Sequence, residues 1–233
     1  MKCDFSTHNF TESMFTPEKA NFFRISFFRR KLQKRQNRAF RTCYRQIRGK
    51  GGGIMTRDDA VSRLCDVYGG SFDITRCGEE ELPLTAKMDF YVHNSKYVLS
   101  KKAKLWEANS FEYVYLFSVP HLTKEIYQQC ELLAYEQGMA RIQPGPNHMY
   151  TYISAIFLCD SCDPEARKAL KRCHRYQSFR LSYWGWMDFH TALVVLPEEA
   201  VSTNASGHSA AQVLKRALFH KQKRKIFRKE RSL

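Results

Sequence analysis

The chain has 233 residues, of which 43% are apolar and 14% aromatic, enough for the core of one domain or two small ones and too apolar for a disordered protein. Its net charge of +15 suggests an anionic partner, but residues 1–54 hold 13 Lys/Arg against 3 Asp/Glu (net +10), residues 215–233 hold 9 against 1 (net +8), and residues 55–214 hold 16 against 19 (net −3). The middle of the chain is nearly neutral, so a case for nucleic acid or an anionic membrane rests on the two ends.

Residues 18–48 mix arginines with Phe22, Phe23, Phe27, Phe28 and Phe40, the composition of a basic amphipathic arm for a membrane surface or an RNA. A second reading is that Lys50-Gly51-Gly52, a few codons before Met55, encodes a bacterial ribosome-binding sequence. On that reading Met55 is the true start and residues 1–54 are a mis-assigned basic leader. Local signals mark the same boundary. Thr56 followed by Asp59 has the spacing of a capping box, and Ala60, Val61, Leu64, Cys65 and Tyr68 form a helical stripe that stops at Gly69-Gly70.

Phe72 and Ile74 suit a short edge strand. From Lys87 to Val119 the pattern predicts a three-stranded antiparallel meander. Its strands are centred on Met88–Val92, Tyr97–Leu105 and Phe111–Phe117, and its turns lie at Asn94-Ser95 and Asn109-Ser110. A sheet with one apolar face must be covered by helices. Pro120 closes it, and Ile126, Tyr127, Cys130, Leu133 and Ala134 lie on one helical stripe stopped by Gly138. After a loop with Pro144, Gly145 and Pro146, residues 152–158 are continuously apolar but for Ser154, as in a central strand buried on both faces. Asp163-Pro164-Glu165 opens a further helix. Phe179, Leu181 and Tyr183 alternate with polar residues up to the corner at Gly185, and an apolar run follows from Thr191 to Leu196. The reading here is one long strand with a glycine bulge, or two strands meeting at that corner. Ser209 and Gln212 open a last helix that runs into the basic tail. The expectation is an α/β (α+β) fold, a central mixed sheet built on the meander with helices packed on it. Residues 55–205 form the domain, and residues 206–233 a C-terminal helix with a basic tail.

Eight cysteines at irregular spacings, several on apolar helix faces, fit reduced thiols in a cytoplasmic protein better than a disulfide framework. No apolar run reaches the roughly 18–20 residues of a membrane span, and the first residues lack the apolar stretch of a signal peptide. Cys159, Cys162, Cys173 and His174 are the cluster with metal-ligand chemistry, since four soft donors can hold a tetrahedral zinc. Cys159 and Cys162 also have the spacing of a redox pair, and buried structural thiols are the third reading. Asp188 and His190 lie two apart on one strand face, placed as a base with its orienting partner or as a hydrogen-bonded corner. Lys101, Lys102 and Lys104 can track phosphates or protect a strand edge.

From Met55 the order helix, three strands, helix, strand, helix, strand resembles the restriction-endonuclease-like (PD-(D/E)XK) fold over about residues 56–196. That resemblance implies a Mg²⁺-dependent nuclease or nucleic-acid binder, with Asp89 and Glu112 approaching each other across the sheet as metal ligands and Lys102 as the basic partner. Val114 stands where the motif's lysine belongs. Ser100-Lys101-Lys102-Ala103-Lys104 and Gly185-Trp186-Met187-Asp188 resemble instead a bacterial domain family of unknown function, which implies no activity and no cofactor. The functional expectation is a non-catalytic interaction or regulatory module with a protein partner. The alternative is the nuclease.

Overall fold

The structure, a computed structural model, describes residues 55–98 and 100–219, without the side chains of residues 94–107. The Arg/Phe leader, the basic tail from residue 220 and the side chains of Lys101, Lys102 and Lys104 lie outside the described residues.

Helix α1, Arg57–Tyr68, starts at the capping box: the Thr56 hydroxyl accepts from the Asp59 amide at 3.1 Å, and the Asp59 carboxylate accepts from the Thr56 amide at 3.3 Å. Strands β1 (Asp73–Arg76), β2 (Leu84–Val98) and β3 (Ser100–Leu122) follow as an antiparallel meander. Helix α2, Lys124–Ala140, crosses over to β4 (His148–Cys162), which runs parallel to β3. Helix α3 (Pro164–Arg172) and the short β5 (Tyr176–Ser178) lead to β6 (Trp186–Val195), parallel to β4. Strand β7 (Ala200–Thr203) and helix α4 (His208–Phe219) end the described chain. The sheet has seven strands in the order β1-β2-β3-β4-β6; β5 and β7 both pair with the far edge of β6, at Trp186–Asp188 and Ala192–Val195 respectively.

The meander exists, but with other strands than the pattern predicts. The first is β1, and the expected middle strand over Tyr97–Leu105 is instead the tip of one long hairpin. Neither Asn94-Ser95 nor Asn109-Ser110 turns the chain. They lie on successive rungs of one ladder, Asn109-Ser110 opposite His93-Val92 and Asn94-Ser95 opposite Ala108-Glu107. The physical reason lies in β4, which joins β3 only from Asn109 onward. Beyond that row the hairpin is, among the described residues, a two-stranded ribbon with no third strand beside it, so polar residues there mark departure from the sheet.

Helices cover both faces. Tyr115, Phe117, Ile153, Phe157 and Phe189 pack against α2 and α3. Met88, Val114, Leu116, Ile156, Leu158 and Val194 pack against α1 and α4, whose Leu214, Ala217 and Leu218 are buried. Strand β4, paired on both sides and covered on both faces, is the center of the molecule, as its apolar run predicts.

The second correction concerns Phe179–Tyr183. These residues form a loop between antiparallel β5 and β6. Arg180, Leu181 and Ser182 all have positive φ (47°, 52° and 68°), and Leu181 is 89% exposed. Gly185, at φ +79°, closes the loop where a Cβ would lie 2.5 Å from the Met149 carbonyl oxygen, so only glycine fits the corner.

Candidate functional site

Strand register determines which side chains meet on the α1/α4 face. Because strand side chains alternate, every second residue of β2, β3, β4 and β6 points to this face, and the pairing aligns them in rows. One row reads Ser110, Tyr150, Trp186. The next reads Phe90, Glu112, Tyr152, Asp188, and the third Met88, Val114, Ser154, His190. Below them lies the apolar row Ala86, Leu116, Ile156, Ala192, which belongs to the core.

The upper rows floor a cavity of about 210 Å³ roofed by the end of α1 and the start of α4. Its walls are aromatic. Phe72, after α1, stacks on Phe90 with centroids 5.0 Å apart and meets Tyr68 edge-on at 4.9 Å. Opposite, Tyr150 stacks on Tyr152 at 4.5 Å and Tyr152 lies against the His190 ring at 4.7 Å. Beside Glu112 on the same sheet face, the buried Ser154 hydroxyl donates to Glu112 Oε1 at 3.5 Å, the outer limit of such a bond. His190 is 5% exposed; its Nε2 lies 3.7 Å from Asp188 Oδ2, beyond hydrogen-bond reach, with no hydrogen-bond partner among the described residues. Burial, and secondarily the Glu112 carboxylate, push the Tyr68 hydroxyl far above its ordinary range. Among the described residues that line the cavity, Glu112 is the sole Asp, Glu, Lys or Arg, beside the histidines His190 and His208. The cavity sits toward the N-terminal ends of β4 and β6, not at the carboxyl ends where parallel sheets commonly bind ligands.

The structure brings together three of the five candidate catalytic residues, Glu112, Asp188 and His190. It separates Asp89 from Glu112. Glu112 is opposite Phe90, one residue along β2 from Asp89, so the two carboxylates lie on opposite faces of the sheet. Asp89 is held instead by both guanidinium nitrogens of Arg141, at 2.8 and 2.6 Å, and Arg141 also stacks over Tyr113 at 3.9 Å. The expected approach of Asp89 and Glu112 therefore does not occur. The side chain of Lys102 lies outside the described residues.

The Cys159–His174 cluster does not converge either. The Cys159 thiol is directed at the Val194 carbonyl (3.6 Å), Cys162 at the Asp163 carbonyl (3.2 Å) and Cys173 at Glu131 (3.4 Å), while His174 is exposed. Burial pushes the Cys159 thiol up to about 12 and Cys173 up to about 11, and it raises Cys162 as well against the opposing charge of Arg167. These are poor thiolates. Among the described residues no group of three or more His, Cys, Asp or Glu is placed to hold a metal ion. A Ser161–His121–Asp163 chain, with contacts of 2.7 and 3.0 Å, joins paired positions of β3 and β4 to the cap of α3 on the exposed surface.

Sequence reasoning passes over Ser110, Ser154, Tyr150 and Tyr152, reading the first as a turn and Tyr152 and Ser154 as a core strand, and assigning Tyr150 to no element. The signal that finds them is Ser154, a hydroxyl inside an otherwise apolar run, which asks for a polar partner at that depth. It also passes over Asn204, 2% exposed, whose Oδ1 accepts from the Thr191 and Gly207 amides (3.1 and 2.9 Å) and whose Nδ2 donates to the Cys173 and Phe189 carbonyls (3.1 and 2.9 Å).

No helix among the described residues is long and apolar enough to cross a membrane. No curated protein and no solved structure matches the chain. A family model described as Domain of unknown function (DUF8052) matches residues 56–216, from the cap of α1 into α4, and the chain belongs to that family.

Proposed function

We propose that this domain is a non-catalytic regulatory module that takes a small organic molecule into the cavity between the sheet and helices α1 and α4. What carries the reading is the combination of an aromatic-walled cavity of about 210 Å³ with two buried polar atoms on its lining, Ser110 Oγ and His190 Nε2, that have no hydrogen-bond partner among the described residues. A cavity of roughly 150 Å³ accommodates benzene, so this one suits a ligand of about one ring or a short branched chain. His190 Nε2 is too far from Asp188 Oδ2 for an orienting hydrogen bond, so the described residues assemble no chain of nucleophile, base and orienter on the cavity floor. Ligand occupancy joins the end of α1 to the start of α4, and that coupling suits a module read by a protein partner. The free thiols, with Cys65, Cys130 and Cys159 buried, accord with a reducing bacterial cytoplasm. The nuclease alternative gains nothing from the site, because Asp89 is engaged by Arg141 on the face away from Glu112.

The test is a thermal-shift survey of the full chain with neutral, cationic and anionic fragments of about one ring each, beside Ala210→Phe, which fills the cavity from α4. The expected result is that some fragments raise the melting temperature of the native chain and not of the variant. No stabilisation by any fragment would overturn the reading, as would Mg²⁺-dependent cleavage of DNA or RNA abolished by Glu112→Gln.

A further inference from the structure

We infer that the outer face of α3 is the docking surface for an acidic segment of the protein partner, an extended chain whose alternate carboxylates sit on Lys168, Lys171 and Arg172. The inference rests on the reading of the domain as a module with a protein partner and names that partner's chemistry; it uses none of the cavity residues.

Helix α3 buries Ala166 and Leu170 in the layer it shares with α2, across the sheet from the cavity, and a period of 3.6 residues then sends positions 168, 171 and 172 outward. Lys168, Lys171 and Arg172 are exposed. With Arg167, and with Glu198 from the turn after β6, they line an open groove of about 580 Å³. Helix α1 mixes its charges, setting Asp58, Asp59 and Asp66 among Arg57 and Arg63, whereas α3 carries four cations against Glu165 alone. Like charges three and four positions apart, Lys168 with Lys171 and with Arg172, repel each other. The helix dipole offsets this for Lys171 and Arg172 in the last turn, but not for Lys168 in the middle of the helix. Among the described residues no carboxylate pairs with Lys168, Lys171 or Arg172, while Arg57, Lys87, Arg141, Arg167 and Arg175 each have one.

The groove already receives one carboxylate. Arg167 Nη2 donates to both oxygens of Glu198, at 3.0 and 2.8 Å, at the edge of the cationic stripe. Lys168 and Arg172 are about 6 Å apart along the helix axis, and alternate side chains of an extended chain recur on one side about every 6.7 Å. Two acidic residues of such a segment therefore meet two cations of the stripe. A nucleic acid fits less well, because no aromatic side chain lines the groove to stack on a base and three cations are a small footprint for a phosphate backbone.

The basic ends of the chain also attract acidic peptides, so the test compares two full-length variants of equal charge. One reverses the stripe, Lys168→Glu with Lys171→Glu and Arg172→Glu. The other reverses three exposed cations on other elements, Arg76→Glu with Lys124→Glu and Lys215→Glu. The probe, read by fluorescence anisotropy at about 0.15 M salt, is a labelled ten-residue peptide of alternating glutamate and serine, beside its glutamine counterpart. The native chain is expected to bind the acidic peptide and not the neutral one. An exposed ion pair lost costs about threefold in affinity, so reversing the stripe should weaken binding at least about tenfold, and the control variant should lose far less. Equal losses in the two variants would assign binding to net charge and overturn the inference, as would no binding by the native chain or no loss on reversing the stripe. Tighter, stripe-dependent binding of a ten-nucleotide single strand would overturn it in favour of a phosphate backbone. All of these outcomes leave the cavity reading to the fragment survey, which the groove does not touch. Should the stripe variant lose its native circular dichroism, Lys168→Gln decides alone: about a threefold loss supports the docking surface and an unchanged affinity overturns it.

Discussion

At the scale of single residues, the polar groups that this fold buries are met by particular partners. His148, 6% exposed at the start of β4, donates from Nδ1 to the Trp184 carbonyl at 2.7 Å and accepts at Nε2 from the Thr151 hydroxyl at 2.8 Å. The carbonyl can only accept, so Nδ1 carries the hydrogen and the neutral ring satisfies both contacts. Burial lowers the basicity of His148 below its ordinary value of 6.5, against the opposing pull of the Trp184 carbonyl. The unfolded chain then binds a proton that the folded chain resists. Stability is complete above the unfolded value and declines as pH falls from about 6.5 toward the lower folded value. Urea denaturation of the native chain and of His148→Asn between pH 7.5 and 5 should show a downward slope in the former that is reduced in the latter; parallel curves would refute the assignment.

Among the elements, the junction of β6, β7, α3 and α4 depends on one side chain. Asn204 follows β7 and uses all four of its hydrogen-bonding positions: to β6 at Thr191 and Phe189, to the end of α3 at Cys173, and to Gly207 just before α4. A buried amide with every position filled is costly to remove, because each abandoned partner loses about 1–3 kcal/mol. Asn204→Ala should therefore lower unfolding free energy by about 2–4 kcal/mol in urea. A loss under about 1 kcal/mol would mean that water replaces the amide and that the junction is wetter than its geometry implies. Helix boundaries, by contrast, were readable from local chemistry. Thr56 with Asp59, Pro164 after Asp163, and Ser209 with Gln212 each signal a start within a residue or two of α1, α3 and α4, because a cap involves only atoms three or four residues apart. Strand identity was less readable. Alternation reports which face a residue takes and not where the chain reverses, so two polar pairs on adjoining rungs of a single hairpin resemble two turns.

Across the whole molecule, the sheet needs both of its helical layers. Residues 55–205 contain all seven strands but not α4, whose Leu214, Ala217 and Leu218 bury the face carrying Leu116, Ile156 and Val194 together with α1. A chain ended at residue 205 leaves much of that apolar face open, and each large core side chain contributes about 1.5–3 kcal/mol on burial. Such a chain should bind a hydrophobic dye and lack a cooperative thermal transition; a sharp transition near that of the full chain would show that α1 alone covers the face.

Several properties of this protein are determined by its sequence alone: a nearly neutral α/β core between two basic ends, helices that start at their caps, and a central strand between residues 152 and 158. All of these depend on composition or on contacts within a few positions, and such contacts are the same wherever the segment ends up. The site was decided only by the tertiary structure. Glu112, Tyr152 and Asp188 lie 40 and 36 residues apart in the chain and become neighbours through two parallel crossovers and one register. Asp89 and Glu112 look equally available in the sequence, yet a one-residue offset in pairing places them on opposite faces of the sheet. Register arises from the collective packing of both layers, and no local pattern encodes it.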